Sequence, residues 1–373
     1  MSKKARIGII GAGFWAAYFY LPYLRDHPDA ECVGVVRPEP EALAALKEGF
    51  DLEIATPDVD ELLAAGCDGV VVASANHVHR AHAEAALRAG AHVLMEKPMT
   101  VTLDDAKVVA AIAEECGLVL SMAHGWNYST IASWAMDVVQ DGQLGNISWV
   151  DAQIASSLTN LFSGREGYGV IDVAGYPFEA SPNTWAKREN GGGYMYGQSV
   201  HQLGLALTLV DSPPRDVFAR LDLLDSGVDI AAVISVEFES GAIGSFAGHG
   251  HLPWNTRYPL GFRVAGDRGV LTLDFERERA DVRLQSAAVS AREDDVGERH
   301  RAFESASGDL DLAPSPGEGL YDNDGPAQFL IDTCNGVPAV NRAPAKIGVR
   351  SVAIIEAAWR SALEKRHVAV EVD

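Results

Sequence analysis

Short apolar runs at residues 6–10, 31–36, 68–73, 91–95 and 118–122 read as strands buried on both faces. The stretches between them, at 15–26, 40–48, 77–89 and 103–116, read as helices. Strand and helix in strict alternation predict a parallel, doubly wound sheet with crossover helices. Thr102 to Asp105 supplies a capped start for the fourth helix. A further helix runs from about 127 to 140, and a turn follows at 142–145. The pattern then changes to longer alternating segments at 147–156, 215–224, 229–239, 242–251, 259–266 and 269–275, which predict a mostly antiparallel sheet. Residues 347–364 carry apolar positions at helical spacing and read as an amphipathic helix. The expected fold class is therefore α/β at the start, residues 1–124, joined to an α+β domain with an open sheet, residues 125–373.

Two stretches resist regular assignment. Residues 158–193 are rich in Gly, Pro, Ser and aromatics, and residues 290–324 are rich in charge, Gly and Pro. Such segments are binding loops, lids or simply mobile connections. The mixed charges of 292–301 favour a solvated loop. No internal repeat is found.

Composition narrows the function classes. With 373 residues and 47% hydrophobic content, the chain is long enough for two domains with ordinary cores. Lys and Arg number 30 against 52 Asp and Glu, a formal charge of −22 that repels nucleic acid and anionic membrane surfaces. Cys32, Cys67, Cys116 and Cys334 are scattered singly and read as reduced thiols, with no zinc-ligand spacing and no metal expected. No membrane-spanning run or signal-peptide core is seen, so a cytoplasmic location is expected.

The first strand runs into Gly11-Ala12-Gly13-Phe14-Trp15-Ala16. Gly11 permits a tight turn, Gly13 lets the backbone approach a pyrophosphate, and Ala16 allows close packing of helix on strand. The backbone of Gly11, Ala12, Gly13, Phe14 and Trp15 is thus a candidate dinucleotide cradle, with the helix dipole facing the anion. Arg37 stands at the end of the second strand, where it can receive the 2'-phosphate of NADP or stack on adenine. Glu39 remains within reach of a ribose. The balance of these residues leans to NADP over NAD.

Glu96, Lys97 and Pro98 end the strand at 91–95, and ligands bind at carboxyl ends of strands in open parallel sheets. Lys97 there can hydrogen-bond a substrate hydroxyl, or else pair with Glu96 at the surface. Ser74, Asn76 and His79 follow the strand at 68–73 and are candidates for lining the cofactor cleft, Asn76 alternatively capping a helix. In the second half, Gly191-Gly192-Gly193 opens a segment that places Tyr194, Gln198 and His201 near one helix face. His201 reads either as a proton acceptor or as a core histidine.

Gly-Ala-Gly near the start, Glu-Lys-Pro at 96–98, and Gly-Gly-Gly followed by His201 form one ordered set. Together they resemble the Gfo/Idh/MocA oxidoreductase family. The likeness extends through Ser74-Ala75-Asn76-His77-Val78-His79, residues 266–274 and the final helix. It implies an N-terminal Rossmann domain, a C-terminal α+β domain, and a homodimer or homotetramer formed through the open sheet face. It also implies catalysis by Lys97 and His201. Many members carry an Asp or Asn one helical turn before this histidine; here the residue is Gly197. The Arg that often follows the 118–122 strand is missing as well. A distinct pocket follows, with Trp126, Asn127, Tyr128, Trp185, Tyr194 and Gln198 as candidate walls beside His201. Aromatics with amides suit a sugar, and they also suit ordinary packing. The implied function is NAD(P)-dependent hydride transfer to or from a secondary alcohol of a carbohydrate or polyol. Two alternatives are a lyase or glycosidase that retains its nicotinamide, and a noncatalytic dinucleotide- or sugar-binding regulator.

Overall fold

The computed structural model describes residues 4–165, 169–253, 260–277, 279–285, 298–304 and 324–372. Two sheets carry the architecture. The first joins β1 (Ala5–Ile10), β2 (Ala30–Val36), β3 (Ile54–Thr56), β4 (Gly69–Val72), β5 (His92–Met95) and β6 (Leu120–Met122) in the order β3-β2-β1-β4-β5-β6. Every pairing in it is parallel. Ile7, Ile9, Val70, Val71, Val93 and Leu94 are fully buried, as expected of strands covered by helices on both faces. The order reverses between β1 and β4, so the crevice for a ligand opens at the carboxyl ends of those strands.

The second sheet has nine strands: β7 (Ile147–Ala155), β10 (Pro214–Leu223), β11 (Asp229–Phe238), β12 (Ile243–His249), β13 (Leu260–Gly266), β14 (Gly269–Asp274), β15 (Arg279–Gln285), β16 (Glu298–Glu304) and β17 (Val368–Ala369). All neighbours are antiparallel except β7 with β12. Its inner face packs on helix Val200–Val210 and on the long helix Ala345–Glu364, through residues such as Ile234, Phe246, Leu203 and Ile355.

Several elements differ from the sequence expectation. β3 and helix Val59–Ala64, whose first turn is capped by Asp58, are too short to show periodicity. β15 was not expected either, and residues 298–301, expected as loop, pair with it in β16. Residues 290–297 and 305–323 of the charged stretch lie outside the described residues. Helix Asp324–Cys334 begins with Gly325 and Pro326, residues that read as breakers although Pro suits a first helical turn. The division at 124/125 places it in the second domain, yet Ala327, Leu330 and Ile331 pack into the core of the first sheet.

The aromatic stretch at 158–193 breaks into short helices, Thr159–Phe162 and Pro182–Trp185, and a two-stranded hairpin. The hairpin, β8 (Ile171–Val173) with β9 (Tyr176–Phe178), crosses to the first sheet, where Val173 and Phe178 join the core beside Leu43 and Leu46. Gly49 makes the approach possible, since a Cβ there would overlap Ala174.

Candidate active site

The glycine turn forms as its residues require. Gly11 has φ +94, and a Cβ on it would strike the Ser74 backbone. Above Gly13 the space is open: a Cβ there would meet only the Gly11 carbonyl, at 4.0 Å. The first helical bond after the turn runs from Ala17 N to Gly13 O at 2.9 Å, so the amides of Phe14, Trp15 and Ala16 precede the ladder and face the crevice end of the helix. The turn therefore fits the pyrophosphate of a dinucleotide.

Arg37 is held from several sides. Its Nε donates to Glu39 at 2.7 Å and its Nη1 to the Ala12 carbonyl at 3.0 Å. The guanidinium lies 4.8 Å from the Phe178 ring centroid and 5.8 Å from that of Tyr176. Ser74 receives His82, with Nδ1 to Oγ at 2.8 Å. Asn76 caps nothing; its Nδ2 donates to Gly191 O at 3.0 Å and pins the triple glycine to the first domain. His79 does not line the cleft. Its ring nitrogens lie 2.9 Å from the Pro98 and Ser74 carbonyls, and burial pushes its pKa down to about 4.

Glu96 is buried and accepts from Tyr20 at 2.6 Å and from the Lys97 amide at 3.2 Å; burial raises its carboxyl pKa. Lys97 Nζ donates to Gly197 O at 3.1 Å and lies 5.3 Å from the Trp185 ring. Burial lowers its pKa while Glu96 opposes that shift. Gly197 sits in the π-helical turn Met195–Ser199, where the helical register slips just before Val200–Val210. A Cβ on Gly197 would come 2.9 Å from Phe162 and 3.3 Å from Trp185, so aromatic rings fill the space an acid would need. His201, one turn on, is 6% exposed. Burial, then Lys97, then His124 hold its pKa well below the ordinary histidine value.

Lys97, Trp185, Gln198 and His201 thus lie on or around one helix turn. Four expected pocket residues are placed otherwise. Tyr194 is fully buried, bonding Ser156 Oγ and the Ile154 carbonyl. Asn127 is buried, and its Nδ2 donates to Thr208 Oγ1 at 2.9 Å and to Arg342 O at 3.0 Å. Trp126 packs on Phe275 with ring centroids 5.2 Å apart, and Tyr128 on Phe329 at 6.4 Å. These residues follow a strand end, but their helical turn points them at the core.

Two residues were missed. His124 stands two residues past the end of β6, and its ring meets that of His201 edge to face at 6.1 Å. A histidine at the carboxyl end of a predicted strand was the available signal. Asp229, at the start of β11, accepts the Met195 amide at 2.8 Å and thereby caps the turn leading to His201. Gly193 is required there, with φ +99 and a would-be Cβ overlapping the Asp229 carboxylate. Burial raises the Asp229 pKa to about 7. Among the described residues, no three His, Cys, Asp or Glu side chains converge as a metal site would need, and no helix is long and apolar enough to cross a membrane.

A six-stranded parallel sheet with a pyrophosphate turn defines a Rossmann-type dinucleotide-binding chain, with a lysine at a strand end and a histidine on the helix beside it. The chain belongs to the Gfo/Idh/MocA family: residues 5–124 match the oxidoreductase family, NAD-binding Rossmann fold, and residues 133–272 match the GFO/IDH/MocA C-terminal domain. It is 27% identical over 271 residues to a 1,5-anhydro-D-fructose reductase of Ensifer adhaerens, covering 71% of this chain and 74% of that protein. Among solved structures, GenD2 from gentamicin A biosynthesis, in complex with NAD, superposes with a TM-score of 0.74 at 23% identity, over 100% of this chain and 97% of that one. Levoglucosan dehydrogenase, in complex with NADH and L-sorbose, superposes with a TM-score of 0.74 at 19% identity, over 99% of both chains. At these identities the structural likeness is one of fold.

Proposed function

We propose that the chain is a nicotinamide-dependent dehydrogenase acting on a secondary alcohol, or the matching ketone, of a sugar, glycoside or cyclic polyol. The observation that carries this reading is the Lys97 ammonium, half-buried at the end of β5 and aimed at the turn that bears His201. The names of relatives that act on or bind sugars support the substrate class. A bound dinucleotide supplies the hydride acceptor or donor. The backbone amides of Phe14, Trp15 and Ala16 hold its pyrophosphate, since those of Gly11 and Ala12 donate to the Val36 carbonyl and that of Gly13 to the Gly11 carbonyl. Lys97 donates a hydrogen bond to the reacting oxygen, exchanging the Gly197 carbonyl for it, and stabilises negative charge there. His201, kept neutral, takes the hydroxyl proton. Trp185 and Gln198 offer a ring face and an amide to the substrate.

The cofactor reading moves from NADP toward NAD. Arg37 is paired with Glu39, bonded to Ala12 and stacked by Phe178, so its guanidinium presents a face to adenine, while the Glu39 carboxylate repels a 2'-phosphate and accepts from ribose hydroxyls.

Replacing Lys97 by Met tests the assignment. Turnover of polyols is expected to fall about 10²- to 10⁴-fold while NADH still quenches tryptophan fluorescence; wild-type turnover in the variant would overturn it. Conversion of sugar with no net change in nicotinamide absorbance would instead favour a cofactor-retaining lyase or glycosidase.

A further inference from the structure

The helix that bears His201 presents one stripe to the ends of β5 and β6: Gly197, His201, Gly204 and Thr208, three or four residues apart. Lys97 engages Gly197 and Asn127 engages Thr208, each through a hydrogen bond, at 3.1 and 2.9 Å. Between these two anchors lie the rings of His201 and His124.

His124 is 1% exposed, and its seat exists only because residue 204 is glycine: a Cβ there would come 2.8 Å from the His124 Cε1 and Nδ1. Neither of its ring nitrogens has a hydrogen-bond partner among the described residues. His79 shows the contrast, since both of its nitrogens face carbonyls in the manner of a structural histidine. An aromatic kept for packing alone gains nothing from two buried polar atoms without partners, and phenylalanine fills such a seat at lower cost. Meanwhile the helix itself has no room for an acid at position 197, because Phe162 and Trp185 occupy that space. Lys97 and His124 both act on His201, and Lys97 acts on His124 from the end of β5.

We propose that His124 is a positioning residue for His201: seated on Gly204, it fixes the plane of the His201 imidazole beside Lys97 and supplies the nitrogen-bearing neighbour that residue 197 cannot. This inference rests on the dehydrogenase reading, in which the alcohol O–H bond breaks and its proton passes to a His201 nitrogen while the carbon gives its hydride to the nicotinamide. His124 forms no bond to substrate in that step. Its effect is on the orientation and proton affinity of His201.

Three variants separate the roles, read in the whole protein. His124→Phe keeps a ring in the seat, His124→Ala empties it, and His124→Gln returns polar atoms. Expected for His124→Phe is a fall of about tenfold or more in kcat/KM for the polyol, carried by kcat, with NADH affinity unchanged and the acid limb of the pH profile displaced. His124→Gln recovers part of the loss. A second readout needs no turnover: ring 15N signals of His201 in the cofactor-free protein should titrate at higher pH in His124→Phe. Wild-type kcat, KM and pH profile in His124→Phe, or unchanged His201 signals, would overturn the proposal. If wild-type protein turns over no polyol with either dinucleotide, the dehydrogenase reading fails, and the His201 titration still decides the positioning role. Should His124→Ala fail to fold, the Phe and Gln variants carry the test.

Discussion

At the scale of single residues, packing decides what the site can hold. Gly197 is the clearest case, because its carbonyl receives Lys97 while its missing side chain is replaced by aromatic rings. Restoring an acid by Gly197→Asp should therefore lower activity and cost about 1–3 kcal/mol of stability through overpacking, as read by denaturant titration; a fully stable, more active variant would contradict this account. Asp229 makes a second prediction. Its folded pKa, about 7, is raised above its ordinary 3.8, so the folded protein holds a proton that the unfolded chain releases between those values. The stabilisation is complete below about pH 4 and is lost as pH rises through 7. Asp229→Asn keeps an acceptor for the Met195 amide and should flatten the pH dependence of the unfolding free energy over that window, by an amount on the order of a few kcal/mol. Parallel pH profiles for wild type and variant would show that Asp229 ionises freely. His79 and His124 act with the opposite sign: pushed to about 4 and about 3 by burial, they add stability above pH 6.5 that is lost as the medium acidifies through the lower values.

Elements that alternate over many residues were legible in the sequence, and those fixed by a distant partner were not. The strands of the first sheet declare themselves by runs such as Gly69–Val72, and Thr102 caps its helix by accepting the Asp105 amide, as its position suggests. Lys97 and His201 stand out because strand ends and glycine-led turns are visible one element at a time. The roles of Tyr194, Asn127 and Asn76 were not visible, because each depends on a carbonyl or hydroxyl from another part of the chain. The hairpin β8–β9 is the extreme case. Its three-residue strands carry no period, yet Phe178 stacks on Arg37, and a Cβ on Gly169 would lie 3.4 Å from Phe14. Phe178→Ala should weaken binding of NAD and NADP alike, about 2- to 10-fold, by loosening the Arg37 platform. Equilibrium fluorescence titration checks it; a loss confined to NADP would instead assign Arg37 to a 2'-phosphate.

The nine-stranded sheet has one face committed to the His201 helix, and among the described residues no helix covers the other. Strand register places Val233, Ala247, Ile243, Trp149, Ala265 and Val270 together on that open face. Val233 is 57% exposed, Ile243 53% and Val270 40%, while the alternate residues Ile234 and Val236 are fully buried. A groove lined by Arg220, Val233, Ala247 and His249 runs along the same side. Ile243, Trp149, Ala265 and Val270 form one apolar row across four strands, while Ser235, Ser245 and Asp151 separate it from Val233 and Ala247; such a row calls for a partner surface, and a second copy of the same sheet supplies an apolar one. The net charge of −22 works against such pairing at long range, so association must rest on the apolar centre and strengthen with salt as the repulsion is screened. Sedimentation velocity should therefore find a dimer or tetramer, with the associated fraction rising as ionic strength increases, and Val233→Asp with Ile243→Asp should yield monomers. Because Lys97 and His201 lie on the opposite side of this sheet, the monomers should keep their affinity for NADH. Monomeric wild-type protein at all salt concentrations would leave the open face without this role, and loss of NADH binding on dissociation would show that the two faces are coupled through β11, the strand that carries both Val233 and the Asp229 cap of the His201 turn.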